Sequence, residues 1–356
     1  MTLGRGIAET LRRRRGWIGI VGSIGLLHVV GWSILLVAIT LPHPAIGAKA
    51  FGAGTGLAAY LLGVRHAFDA DHIAAIDNTI RKLMRAGQQP RSVGFWFSIG
   101  HSSVVFGLAT LLAFGVRGLA RPLFDGTSAL HLLAGVAGTL FSSGFLYAIA
   151  VLNLIVLGDL WRKLARARTG RPTEDEPDGS RPGFMSRLLR PAMNLVGKPW
   201  HMCLVGLLFG LGFDTATEIA LLVLASSSAA TGLPWYEVLC LPVLFAAGMS
   251  LFDTLDSALM TSAYGWSWAS PLRRLYYDLG LTALSSAIGI VVATVEIAPL
   301  IGEHVRGAPD LASIDLTGFG FLIVGSFAAI WLGAILTRWA TTRSLDRASS
   351  QRIGLL

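Results

Sequence analysis

The sequence predicts an all-α protein that crosses a membrane about eight times, and three observations predict it. Hydrophobic residues fill 53% of the 356 positions and charged residues only 14%, with a mean hydropathy of +0.62, outside the range of ordinary soluble domains. Apolar runs of about 20 residues or more, each enough to cross a hydrocarbon layer of about 30 Å as a helix, recur along the whole chain. Lysine and arginine gather in every second loop, the pattern of the positive-inside rule.

In order, the first run covers residues 17 to 41 and follows Arg5 and Arg12 to Arg15. Its length exceeds the 7 to 15 residues of a signal-peptide core, so it is expected to be retained although Ala48-Lys49-Ala50 offers a cleavage-like site. The second, 51 to 80, ends on Arg81, Lys82, Arg85 and Arg91; the third spans 93 to 117 and the fourth 131 to 158, before an arginine-rich stretch from Arg162 to Arg190. The fifth covers 200 to 229, the sixth 238 to 263 ahead of Arg273 and Arg274, the seventh 276 to 299, and the eighth 318 to 340, closing on Arg338, Arg343 and Arg347. The alternate loops at 42 to 50, 118 to 130, 230 to 237 and 300 to 317 hold only Lys49, Arg121 and Arg306 as cations. The chain is therefore expected to be a multi-pass protein of the cytoplasmic membrane with both termini inside. The net charge of +8 belongs to these loops and needs no nucleic-acid partner. Cys203 and Cys240 fall within spans, so no disulfide framework is implied.

RARTGRPTEDEPDGSRPGF, residues 166 to 184, is too polar and too rich in proline and glycine to fold alone. It divides the chain into a first membrane half (1–165), a cytoplasmic linker (166–199) and a second membrane half (200–356). FDADHIA at 68 to 74 is similar to FDTATEIA at 213 to 220, and FSIGHS at 97 to 102 to FAAGMS at 245 to 250. Spans two and five run in opposite directions in this topology, so the halves are candidates for an inverted repeat, which in secondary transporters builds a site between the repeats.

Seven of the 21 acidic residues, Asp69, Asp71, Asp77, Asp214, Glu218, Asp253 and Asp256, lie in apparent spans. Each charge near the centre of a membrane helix costs roughly 2.5–3.5 kcal/mol on insertion scales. Arg65, with Arg81 and Lys82 at the boundary, cannot pair with all of them. A cation, protonation or water must balance the rest. On a continuous helix His66, Asp69, Ile73, Ile76 and Asp77 share one stripe with His72 at its edge, whereas Asp71 points elsewhere, toward Arg65, unless the helix is locally unwound. Two histidines and three aspartates within twelve residues point to a metal, and neutral imidazole with carboxylate suits Ni²⁺, Co²⁺ or Zn²⁺. Asp214 with Glu218 on span five and Asp253 with Asp256 on span six supply further carboxylates, and His101 lies in GHSS of span three. These five, with His28 of span one, are candidates for the translocation path; His28 serves equally well as a packing partner for Trp32.

RHAFDADHI (65–73), FSIGHSSVV (97–105), LGFDTATEI (211–219) and GMSLFDTLD (248–256) resemble the four signature segments of the nickel/cobalt transporter family, the NiCoT permeases, in the family's order on spans two, three, five and six. Ser103 and Ser257 depart from the threonine and glycine usual there. The resemblance implies high-affinity uptake of Ni²⁺, Co²⁺ or both, with His66, Asp69, Asp71 and His72 as the metal-binding residues. Phe68 stands where the family has valine or phenylalanine, and is a candidate for setting selectivity.

The metal is then substrate, and no resident cofactor is expected. A membrane metalloenzyme of the desaturase type would need HxxxH and HxxHH clusters, which are absent, so no enzyme is expected. Efflux is the other alternative; a histidine-rich cytoplasmic loop would mark it, and residues 159 to 199 hold no histidine. GxxxxGK[ST] is also absent, so the chain has no nucleotide site of its own and no ATPase partner is implied. A divalent ion moving inward through about 100 mV gains roughly 4.6 kcal/mol, enough for about thousandfold accumulation. The expected partners are a divalent metal ion and the lipid bilayer.

Overall fold

The computed structural model describes residues 2–40, 51–114, 129–169, 196–211, 216–230, 234–266 and 271–302, with a few isolated positions between 322 and 329. Every regular element among them is helical. The loops expected to be external at 42–50 and 118–128, residues 170–195 of the expected linker and nearly all of the expected eighth span lie outside the described residues. In chain order the helices are α1 (Thr2–Thr40), α2 (Ala53–His66), α3 (Ala70–Arg85), α4 (Val93–Ala113), α5 (Ala129–Arg168), α6 (Met202–Phe209), α7 (Ala216–Ala230), α8 (Cys240–Trp266) and α9 (Pro271–Gly302). A 3₁₀ turn at Pro199–His201 leads into α6, and a single turn at Trp235–Val238 leads into α8.

Among the described residues, five helical segments are long and apolar enough to cross a membrane: Gly16–Thr40, Val93–Ala113, Gly135–Arg166, Trp235–Ser262 and Asp278–Ile301. The chain is a multi-pass α-helical membrane protein. Ile18, Val21, Leu26 and Val29 of α1 are exposed, as lipid-facing side chains should be, while Ile24, Leu35 and Ala38 are buried; Gly31 brings the buried face of α1 against Leu244 of α8.

The second span differs from the continuous helix that the stripe required. It is two helices, α2 and α3, joined at Ala67, Phe68 and Asp69. Phe68 N donates to Arg65 O and Asp69 N to His66 O, both at 3.0 Å, closing α2, while Ile73 N donates to Asp69 O at 3.2 Å and opens α3. Asp69 is the N-cap residue, extended at φ −67° and ψ 141°, a conformation aspartate adopts readily. The break is tolerated in lipid because the amides of the joint are satisfied within it. In the fifth span α6 ends at Phe209 and α7 begins at Ala216, with residues 212–215 outside the described residues.

Since the stripe does not continue through the break, Asp77 leaves the group it was expected to join. Its Oδ2 accepts from Arg81 Nε at 3.2 Å and from Ser285 Oγ at 2.5 Å. Arg85 continues the network to Thr282 Oγ1 at 2.8 Å and Asn153 Oδ1 at 2.9 Å, and Asn153 reaches Asn78. These bonds fix α3 to α5 and α9. Arg65, the proposed partner of Asp71, is exposed. Asp77→Asn is expected to lower stability by about 3–5 kcal/mol, because it strands the buried Arg81 guanidinium. Thermal unfolding of the purified variant checks this, and transport per folded molecule should hold.

The packing that positions the site occurs twice. Gly63 of α2 lies against the carbonyl of Phe245 of α8, and Gly248 of α8 lies against the carbonyl of Tyr60 and the amide of Val64. Gly206 of α6 lies in the same way against the carbonyl of Phe97 of α4, and Gly100 of α4 against the carbonyl of Cys203 and the amide of Leu207. At all four positions a Cβ would collide with backbone. Small residues let membrane helices approach this closely, and each pair joins a helix from before residues 170–195 to one from after them.

Candidate metal centre

The break in span two puts His66 at the C-terminal end of α2 and His72 in the first turn of α3. His101 of α4 comes to both, and one ring nitrogen from each lies within 4.8 Å of the others. His66 and His72 ring centroids are 4.4 Å apart, and each is 4.7 Å from that of His101. All three are buried. Phe97, Phe209 and Phe245 pack around them, an apolar wall that strengthens electrostatic interactions inside.

The donor atoms have a definite orientation. His66 Nδ1 stands 2.8 Å from Asp69 Oδ2 and 2.9 Å from Thr217 Oγ1. With Nδ1–H donating to that carboxylate, Nε2 keeps its lone pair. His66 Nε2 is 2.7 Å from His101 Nε2, which is 2.7 Å from Glu218 Oε1. Two imidazole nitrogens and a carboxylate oxygen thus converge on one small volume. Ligand atoms held at about 2.1 Å on one ion stand about 3 Å apart when they subtend a right angle, so a slight separation of these rings would admit a metal. His72 Nδ1 and His101 Nδ1 are buried without a partner.

Of the residues expected to bind metal, His66 and His72 are brought together, Asp69 sits behind His66 on its far nitrogen, and Asp71 lies in the first turn of α3, in electrostatic reach of His66. A carboxylate on the far nitrogen of a histidine fixes its tautomer and ring orientation, the usual partner of a metal-ligating imidazole. Among the path candidates, His101 and Glu218 join the cluster itself. Asp253 accepts from Ser98 Oγ at 2.6 Å, and Asp256 Oδ2 is buried without a partner. Asp214 lies outside the described residues. His28 Nδ1 donates to Ile24 O at 2.8 Å, and its Nε2 stands 3.3 Å from Tyr60 Oη. Phe68 packs on Phe252 of α8, ring centroids 5.5 Å apart. The contact of Thr217 with His66 crosses from α7 to α2, and no local spacing encodes it.

A helix broken within its span, with buried donor side chains from the break and from neighbouring helices gathered together, defines a membrane permease of the kind that offers an ion a site between packed helices. The chain belongs to the NicO family, high-affinity nickel-transport protein, whose model matches residues 52–337. It is 49% identical to the nickel transporter NicT of Mycobacterium tuberculosis over 327 residues, covering 90% of this chain and 88% of that one. It is 41% identical to the nickel transporter NixA of Staphylococcus aureus, covering 90% and 93%. The cobalt transport protein NhlF of Rhodococcus rhodochrous is 40% identical, covering 93% and 94%. No solved structure matches.

Proposed function

We propose that this protein takes up Ni²⁺, Co²⁺ or both across the cytoplasmic membrane, as a gradient-driven permease with both termini inside and not as an enzyme. The observation that carries the reading is the convergence of His66, His72 and His101 within 4.8 Å in a chain of the NicO family. The imidazoles bind the ion, Glu218 completes the set, and Asp69 orients His66. Asp71 adds negative charge nearby, while Asp214, Asp253 and Asp256 line the path and His28 flanks it through Tyr60. Imidazole with carboxylate suits these borderline ions. Binding displaces the proton held between His101 and its neighbours, as metal ligation by histidine requires. Radiolabelled Ni²⁺ and Co²⁺ uptake by cells expressing the protein, with and without an uncoupler, tests the reading. Depletion of cell metal in place of accumulation would show export.

Phe68 bears on selectivity. Affinity at a typical nitrogen and oxygen site follows Co²⁺ < Ni²⁺, so discrimination has to come from enforced geometry. Phe68 adjoins Asp69 and rests on Phe252 of α8, and it therefore limits how far Asp69 and His66 can shift around an ion. Phe68 goes with a site that carries both ions, and Phe68→Val is expected to move preference toward Ni²⁺. Competition of labelled Co²⁺ uptake by excess Ni²⁺ measures the change; an unaltered ratio would remove Phe68 from selectivity.

A further inference from the structure

One helical turn from His101, toward the loop at 86–92, α4 and α8 carry a second group of polar atoms, all of them oxygen. Ser98 of α4 donates to Asp253 Oδ2 of α8. The other oxygen of Asp253 has no partner although the residue is only 1% exposed. Asp256 Oδ2, one turn along α8, is likewise buried and unpartnered, and so are Ser250 Oγ and Thr254 Oγ1. By helical spacing Ser250, Asp253 and Thr254 share a face. Among the described residues no ion pair reaches either carboxylate, and the buried guanidinium of Arg81 is held by Asp77.

The doubled packing shows that the fold does not need an acid here. The shared glycine contacts set FSIGHSSVV of α4 and FAAGMSLFD of α8 in the same register. In that register Val105 is the counterpart of Asp253, and Ala246 is the counterpart of Ser98. Val105 is buried at 1% exposure, so an apolar side chain fills the equivalent position. Both members of the Ser98–Asp253 contact thus replace an apolar residue of the other half, and they do so together. α4 and α8 run antiparallel, because Gly94 and Ser98 meet Asp253 while Ser102 meets Met249. The Ser98–Asp253 contact therefore lies on the side of His101 nearer the loop at 86–92.

We propose that Asp253, Asp256 and Ser98 form a second cation site, made of oxygen donors alone, which receives a divalent ion with part of its water shell as it leaves the histidine cluster. This rests on the reading of that cluster as the ion's binding site and names the next stop. Oxygen ligands suit hard, hydrated ions and hold Ni²⁺ and Co²⁺ less firmly than imidazole does. A weaker site in series lets an ion that was bound tightly depart.

Mn²⁺, which favours oxygen donors, is the probe. Purified wild-type protein is titrated with Mn²⁺, free ion being read by electron paramagnetic resonance, and separately with Ni²⁺ by equilibrium dialysis. Asp253→Asn and Asp256→Asn are each expected to weaken Mn²⁺ binding at least tenfold and to leave tight Ni²⁺ binding in place. His66→Ala is expected to do the reverse. Asp253→Val, which installs the residue of the other half, keeps the test open if the asparagine variant is poorly folded, and thermal unfolding is measured on each. Unchanged Mn²⁺ affinity in both aspartate variants would overturn the proposal, as would Mn²⁺ binding lost in His66→Ala and kept in Asp253→Asn. Failure of the wild type to take up Ni²⁺ would instead count against the uptake reading and leave the Mn²⁺ result standing.

Discussion

Alanine at His66 or His101 is expected to lower Ni²⁺ affinity and uptake by more than about a hundredfold, while the protein still reaches the membrane in normal amount. Loss of a partner behind a ligand usually costs about 10–100-fold, and these two rings supply the converging nitrogens themselves, 2.7 Å apart. Asp69→Asn should fall in that milder range, because the amide can still hold the Nδ1 side of His66 but carries no charge to raise its basicity. The order His66→Ala worse than Asp69→Asn separates a ligand from the group that aims it. Dialysis against Ni²⁺ beside cell uptake provides both readouts. Wild-type affinity in His101→Ala would remove α4 from the centre and leave the metal to α2 and α3.

Gly206→Val and Gly63→Val are expected to be the most damaging changes away from the donor atoms. A Cβ at either position runs into a carbonyl of the facing helix, Phe97 or Phe245, and backbone cannot turn aside as a side chain can. Overpacking costs about 1–3 kcal/mol where side chains yield, and here the whole helix must retreat. Since Phe97 precedes His101 by one turn and Gly63 precedes His66 by less than one, the retreat also opens the cluster. Gly54, with open space around it, is the control: Gly54→Ala should be neutral or slightly stabilising. Thermal unfolding in detergent distinguishes them, and equal stability of Gly206→Val and Gly54→Ala would mean the close approach is not needed.

Five spans could be read from hydropathy because burial in lipid depends on summed composition. The run at 17 to 41 became Gly16–Thr40, and that at 238 to 263 became Trp235–Ser262. The break in the second span could not be read this way, since the three residues that unwind it barely change an average taken over twenty. His66 and His72 were legible as a pair because they lie in one segment. His101 and Glu218 were visible only as polar residues in oil, and their place in the cluster depends on contacts between α2, α4 and α7 that sequence spacing does not carry. Asp77 was misplaced for the complementary reason: a stripe drawn through a helix is meaningless once the helix stops at His66 and a new one starts at Ala70.

The crossed packing has a consequence for the order in which the chain is made. α2 rests on α8 and α4 on α6, so each early helix presents a glycine-lined face to a partner synthesised more than a hundred residues later. Spans inserted first must therefore wait in the bilayer with His66, His72 and His101 facing no finished interior, and the last contact to His101, Glu218 of α7, arrives only when span five does. A ribosome stalled before span five leaves a nascent product with all three imidazoles but no carboxylate opposite them and neither glycine contact made. Maturation of the centre is thus a late event set by translation, and quality control at the membrane has a long interval in which to meet the unfinished protein.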